Sequence, residues 1–243
     1  MRNSGKTLWS FALGMLLIPT WLQAQAFAYL GDRGPAFWDL LNPAWASCHA
    51  GRQQSPVDFQ GEVPVRQWQL TTDYQMSRGE IFNNGHTIEV EVEGENNVIL
   101  SGVDYRLLQF HFHVASEHRI NGGGFDMEMH LVHQSAAGNL AVIGVLLQRG
   151  TSSAGLAPIF ANLPAADSPV NVKVALPDSF NPMDFLPKSG DFYEYSGSLT
   201  TPPCSEGVRW VVMAQPLTIS DEDLAQFAAR ISFNARYVQR VLN

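Results

Sequence analysis

The segment Leu107-Leu108-Gln109-Phe110-His111-Phe112-His113-Val114 alternates apolar and polar side chains. Successive residues of a strand point to opposite faces. Gln109, His111 and His113 therefore share one face, and Phe110, Phe112 and Val114 share the other. The phenylalanine face belongs in a core. Two imidazoles on the opposite face are costly to bury unless they have partners, and a metal ion would account for both. Met127-Glu128-Met129-His130-Leu131-Val132-His133 supplies a third ligand. Glu128, His130 and Val132 share a face there, and a carboxylate beside a ligating histidine can orient it. His111, His113 and His130 then form a three-histidine site with an open fourth position. That is the arrangement of a catalytic zinc rather than a structural one. His118 and His133 fall outside the ligand set. His118 is expected in buried structural hydrogen bonds, and His49 at the surface.

A rival metal chemistry has some support. His111-x-His113-x3-Glu117-x6-Gly124 fits part of a cupin signature, in which two histidines and a glutamate bind iron or manganese. Tyr105 stands where that signature begins with glycine, and no second cupin motif follows. Spacing alone leaves zinc and cupin chemistry both open.

Strands must carry these ligands, and the pattern predicts several. His86, Ile88, Val90 and Val92 alternate with Thr87, Glu89, Glu91 and Glu93. Further strands are expected over 105–116, 127–133, 140–147 and 208–214, with Ala137-Gly138-Asn139 as the turn between the second and third of these. Residues 29–58 read as irregular, punctuated by Gly34-Pro35, Asn42-Pro43 and Ser55-Pro56. A helix is expected over 220–231, with Ser220 as N-cap, Asp223 completing a capping box and Leu224, Phe227 and Ile231 on one stripe. A shorter helix is expected over 156–163. The chain has 243 residues, 45% of them hydrophobic, enough for one large core. The fold class is mainly β (α+β): a single domain around a large, mostly antiparallel twisted β-sheet with a few peripheral helices.

Residues 1–26 read as a cleaved secretory signal. Arg2 and Lys6 precede an apolar run, and Gln23-Ala24-Gln25-Ala26 offers a small-residue cleavage site. The apolar run is short and broken by Pro19, which argues against a retained membrane anchor. The domain proper is then 27–243, exported to a periplasm or secreted. The formal charge of −8 and the lack of a basic stripe disfavour nucleic-acid binding. In an exported chain, the even pair Cys48 and Cys204 suggests a disulfide.

Six motifs in order decide between the metal chemistries. Gln109–His118 followed by Met127–His133, Asn83-Asn84-Gly85-His86, Gln54-Ser55-Pro56-Val57 and Gly197–Cys204 closely resemble the α-class carbonic anhydrases. Tyr29-x-Gly31-x-x-Gly34-Pro35-x-x-Trp38 and Asn234-x-Arg236-x-x-Gln239 fit as well, so the resemblance runs from Tyr29 to the C-terminus. It implies that His111, His113 and His130 bind Zn2+, with Gln109 and Glu128 supporting His111 and His130. It implies reversible hydration of CO2 to bicarbonate and a proton by zinc-bound hydroxide. Thr200 would accept a hydrogen bond from that hydroxide and donate one to Glu117, which is then not a ligand. Val132, Val142, Leu199, Val208 and Trp210 would hold CO2, with Thr201 also lining the site. Tyr29, Asn84 and His86 would form the polar wall, with His86 as the proton shuttle. Cys48 and Cys204 match the disulfide of secreted and bacterial relatives. Val114 replaces an aromatic common in animal relatives and touches no ligand. A catalytically silent relative that only binds ligands is the non-enzymatic alternative. The expected partner is a small molecule, with no nucleic acid and no membrane anchor after cleavage, in a monomer or homodimer.

Overall fold

The computed structural model describes residues 27–61, 66–67 and 70–240. The expected signal segment, 1–26, lies outside them. Among the described residues no helix is long and apolar enough to cross a membrane.

A 12-stranded sheet dominates. Along its central path run Gly79–Asn83, Ile88–Val92, Val103–His113, Met127–Gln134, Leu140–Arg149, Glu206–Met213 and Asp191–Ser198. Neighbours pair antiparallel except Leu140–Arg149 with Glu206–Met213, which pair parallel. The turn after Gln134 is closed by Ser135 N–H bonding to the Asn139 carbonyl at 2.9 Å, as the Ala137-Gly138-Asn139 signal requires.

One sheet face carries the main core. Phe110, Phe112, Met127, Met129, Leu131, Ile143, Val145, Val211 and Met213 are buried there. The helix Asp221–Ala228 covers part of this face through Leu224 and Phe227, and Ile231 is buried just beyond its end. The other face carries the histidines and a smaller apolar cluster containing Val142, Val208, Trp210 and Val212.

A bulge decides which face the histidines take. Tyr105 and Leu107 are buried in the main core, and so are Phe110 and Phe112. The first pair is odd-numbered and the second even-numbered. The register to Met127–Gln134 shifts between Leu107 and Gln109, so an extra residue resets the alternation. Without it, His111 and His113 would point into the apolar core with Leu107.

Four expectations need correction. The strand carrying His111 and His113 runs Val103–His113 rather than 105–116. It stops there because Val114 N–H donates to Asn234 Oδ1 at 2.7 Å instead of to a neighbouring strand. The helix expected over 156–163 is only a 3-10 turn, Ala154–Leu156, running into Ala157–Phe160. Ser220 caps its helix through Asp223 N–H at 3.1 Å, but the capping box is not closed: Asp223 takes Ser152 Oγ–H, and Ser220 N–H goes to Ser152 Oγ. The 29–58 region contains short helical turns, including Trp38–Leu41 and Ser47–Ala50.

Candidate metal centre

His111 and His130 are direct register partners on adjacent antiparallel strands, and His113 is paired with Glu128. Ring centroids are 5.3 Å apart for His111 and His130, 5.1 Å for His111 and His113, and 4.5 Å for His113 and His130. Each ring offers one nitrogen, and the three lie within 4.8 Å of one another.

The outer nitrogen of each ring is already committed. His111 Nδ1–H donates to Gln109 Oε1 at 2.8 Å. His113 Nδ1–H donates to the Asn234 carbonyl at 2.9 Å. His130 Nε2–H donates to Glu128 Oε1 at 2.9 Å. These bonds fix the tautomers, leaving His111 Nε2, His113 Nε2 and His130 Nδ1 as lone-pair donors. His113 Nε2 is buried with no hydrogen-bond partner, which is costly unless something else takes its lone pair. Burial, reinforced by the neighbouring rings, also holds all three imidazoles below the usual histidine range, hence neutral at pH 7. Neutral imidazoles with converging lone pairs fit a metal ion.

A second group with ligand potential is His118, Glu128 and His130, but its atoms are occupied. His118 is fully buried, with Nδ1 2.7 Å from Glu128 Oε1 and Nε2 2.7 Å from Tyr195 Oη. Glu128 Oε2 accepts the backbone N–H groups of Glu117 and His118 at 2.9 and 2.8 Å. Burial alone would raise the Glu128 pKa, but its interactions with His118 and His130, hydrogen bonds included, outweigh it and hold the carboxyl well below its ordinary range. Gly144 makes room for this carboxylate. It is the register partner of His130, and a methyl group there would stand 2.9 Å from Glu128 Oε1.

Glu117 is buried, with Oε1 accepting Arg236 N–H at 2.8 Å and lying 3.5 Å from His113 Nδ1. Burial pushes its carboxyl up to about 7, while His130, the Thr200 hydroxyl and the Arg236 N–H pull it back. Glu117 Oε2 is buried with no hydrogen-bond partner. Arg236 is itself buried. Its guanidinium donates to the Cys48 and Ser55 carbonyls at 2.7 Å and to Gln54 Oε1 at 3.0 Å. Burial lowers its pKa to about 10, which still leaves it charged at pH 7.

An apolar cluster lies beside the three histidines. Val132, Val142 and Trp210 are in register across three strands. Val208 belongs to the same cluster, Leu199 packs against it, and the Trp210 ring lies 4.8 Å from His130. Trp210 Nε1–H donates to the Ser198 carbonyl at 2.9 Å, tying this wall to the Leu199-Thr200 loop. Thr201 is half-buried, and its carbonyl accepts Cys204 N–H at 2.9 Å. The Cys48–Cys204 disulfide is formed, so the turn after Thr200 is bonded to the N-terminal segment.

On the polar side, Tyr29, His86 and Asn234 line one cavity of about 360 Å³. Burial and then the Glu117 charge hold the Tyr29 phenol well above its usual pKa. Asn84 works through a turn: its Oδ1 accepts the N–H groups of His86 and Thr87 at 2.9 Å, and its Nδ2 donates to Glu89 at 2.9 Å. His49 is exposed and His118 is buried in hydrogen bonds, both as expected.

The sequence matches the family described as eukaryotic-type carbonic anhydrase over residues 33–241. The chain belongs to the α-class carbonic anhydrases. It is 40% identical over 218 residues to a carbonic anhydrase of Nostoc, covering 88% of this chain and 82% of that one. A carbonic anhydrase of Pectobacterium atrosepticum is 37% identical over 210 residues, covering 84% and 82%. The solved α-carbonic anhydrase of Thermovibrio ammonificans, in complex with the inhibitor sulfanilamide, superposes with a TM-score of 0.84 at 38% identity, covering 88% of this chain and 95% of that one. Hydration of CO2 is the general activity of this enzyme family. The cupin reading falls with this membership: Glu117 is absent from the groups able to hold a metal among the described residues, and the three histidines lie on one broad sheet.

The sequence reading missed four contributors. Asn234 and Arg236 were noted as a motif without a role. Tyr195 and Gly144 were not singled out, although a glycine inside the apolar strand Leu140–Arg149 signals a close approach.

Proposed function

We propose that this is an exported zinc carbonic anhydrase in which His111, His113 and His130 hold the metal, Thr200 and Glu117 orient the attacking oxygen, and His86 carries the proton out. The observation that carries this reading is the buried, unpartnered His113 Nε2, set among three imidazoles whose outer nitrogens are all committed.

Zinc, when bound, supplies the Lewis acidity that brings a water pKa from about 15.7 to about 7. The protein's own groups do the rest. Neutral ligands leave the full ionic charge in place, which thiolates would weaken. The Thr200 hydroxyl can accept a hydrogen bond from the attacking oxygen only when its own proton goes to an acceptor. Glu117 is that acceptor, and its buried Oε2 has no other hydrogen-bond partner. Val132, Val142, Leu199, Val208 and Trp210 offer apolar CO2 an apolar surface, and Thr201 lines the same side. Tyr29 and Asn84 shape the polar wall. A histidine with a pKa near neutrality can relay a proton to bulk solvent at pH 7, and His86 lies in a cavity lined by exposed residues such as Leu30 and Phe233.

The mature domain in this reading is 27–243 after removal of 1–26. The Cys48–Cys204 disulfide supports export, because such bonds persist in oxidising compartments. Metal analysis of the purified protein tests the ligand set. Wild type should carry zinc, and His113→Ala should lose it while retaining the fold by circular dichroism. Zinc retained at full occupancy by His113→Ala would remove that residue from the ligand set.

A further inference from the structure

Alternation along Ile88–Val92 sends Ile88, Val90 and Val92 into the main core and leaves Glu89 and Glu91 half-buried on the opposite face, the one that carries the histidines. Glu89 is the register partner of His111, and Glu91 is that of Gln109. Register partners of an antiparallel pair share a face, with Cβ atoms about 4.5–5.5 Å apart. A carboxylate therefore stands beside His111, on the polar side of the three-histidine cluster.

The two carboxylates are not equivalent. Glu91 Oε2 is paired with Lys173 Nζ at 2.5 Å, and that ammonium also lies 5.2 Å over the Phe82 ring. Glu89 Oε2 instead accepts the neutral Asn84 Nδ2–H at 2.9 Å. Asn84 is itself held in place, since its Oδ1 takes the His86 and Thr87 N–H groups at 2.9 Å. Burial raises the Glu89 pKa and Glu91 adds to the rise, while the Asn84 amide and Lys173 oppose it. The nearby cation is thus spent on Glu91, and a neutral amide anchors the Glu89 carboxylate without cancelling its charge.

We propose that Glu89 is a specificity-determining residue: its carboxylate beside His111 weakens the binding of bicarbonate and other small anions at the metal centre and leaves uncharged CO2 unopposed. This rests on the reading of His111, His113 and His130 as the zinc ligands. The repulsion between two like charges scales inversely with their separation and the local dielectric constant, so in a half-buried site it is worth several-fold in anion affinity. A neutral substrate feels no such term. The charge therefore favours release of the anionic product over its retention.

Glu89→Gln tests this, because the amide keeps the length of the side chain and an acceptor for Asn84 Nδ2–H but removes the charge. The probe is thiocyanate, titrated into cobalt-loaded protein and followed by the visible spectrum. Glu89→Gln should bind it about fivefold more tightly than wild type. Glu89→Asp, which keeps the charge, should stay close to wild type. The KM for bicarbonate in dehydration should fall by a similar factor in Glu89→Gln, with the KM for CO2 moving far less. Glu89→Ala removes the same charge and keeps the test available if Glu89→Gln does not fold. Unchanged thiocyanate affinity in either folded variant would overturn the proposal, and so would equal tightening in Glu89→Asp, which would point to packing rather than charge. Wild type that takes up no cobalt would overturn the ligand reading as well. Cobalt bound by wild type, with no gain of anion affinity in Glu89→Gln, would remove the role of Glu89 alone.

Discussion

Gly144 and Glu128 occupy what would otherwise be one space. An added methyl group at Gly144 would lie 2.9 Å from Glu128 Oε1, the oxygen that accepts both His118 Nδ1–H and His130 Nε2–H. The carboxylate cannot move aside cheaply, since its other oxygen holds two backbone N–H groups. Gly144→Ala should therefore disturb the orientation of His130. Second-sphere losses of this kind weaken metal binding by about 10- to 100-fold. Competition with a chelator of known affinity measures it, and unchanged zinc affinity would show that the site absorbs the methyl group.

Tyr195 bridges two buried polar groups, with Oη 2.7 Å from His118 Nε2 and 2.7 Å from Ser55 Oγ. Ser55 and Ser198 exchange hydrogen bonds at 2.9 and 3.0 Å, so the bridge reaches the strand leading to Thr200. Tyr195→Phe leaves His118 Nε2 without its partner, at a cost of about 1–3 kcal/mol. Urea unfolding of the two proteins measures the loss directly. A variant as stable as wild type would mean that a water molecule replaces the hydroxyl.

His133 gives the fold an acid-sensitive point away from the metal centre. The ring is fully buried, bonded to the Leu131 carbonyl at 2.9 Å and to Tyr74 Oη at 2.7 Å. Burial lowers its pKa to about 4, against hydrogen bonds that raise it. A depressed histidine pKa means that the unfolded chain binds the proton first. The stabilisation is complete above about 6.5 and is lost as pH falls toward about 4, a change of roughly 3 kcal/mol. The double variant His133→Phe/Tyr74→Phe removes both polar ends. Its stability should fall less than wild type between these pH values in denaturant titrations, and equal slopes would exclude His133 as a source.

The disulfide closes a sequence separation of 156 residues. In the chain-entropy description this is worth up to roughly 5 kcal/mol. Cys48→Ala/Cys204→Ala should melt at lower temperature, and because Cys204 N–H closes the turn at Thr201, it should also hydrate CO2 more slowly. Two free thiols in the intact wild-type protein would contradict the bond.

The shared face of His111 and His113 was legible because strand alternation is a local rule: two imidazoles opposite two phenylalanines need only the backbone geometry of 109–113. The bulge near Leu108 was not legible. Nothing in Leu107-Leu108-Gln109 signals an extra residue, and only the partner strand's register reveals that Leu107 and Phe110 face the same way. The role of His118 as a hydrogen-bonding residue followed from its exclusion as a ligand, but its bond to Tyr195 spans a sequence separation of 77 and depends on how the sheet closes. Asn234 and Arg236 escaped assignment for the same reason, since their partners lie over 100 residues away. The capping box failed at Asp223 because a tertiary partner, Ser152, took the carboxylate that a local pattern assigns to the helix.

Stopped-flow CO2 hydration before and after metal exchange is the most direct test of the central claim. Purified protein should bind about one zinc per chain, lose hydration activity when the zinc is removed by chelation, and regain it when zinc is returned. A folded protein carrying zinc with no hydration above background, or activity that survives complete removal of metal, would contradict it.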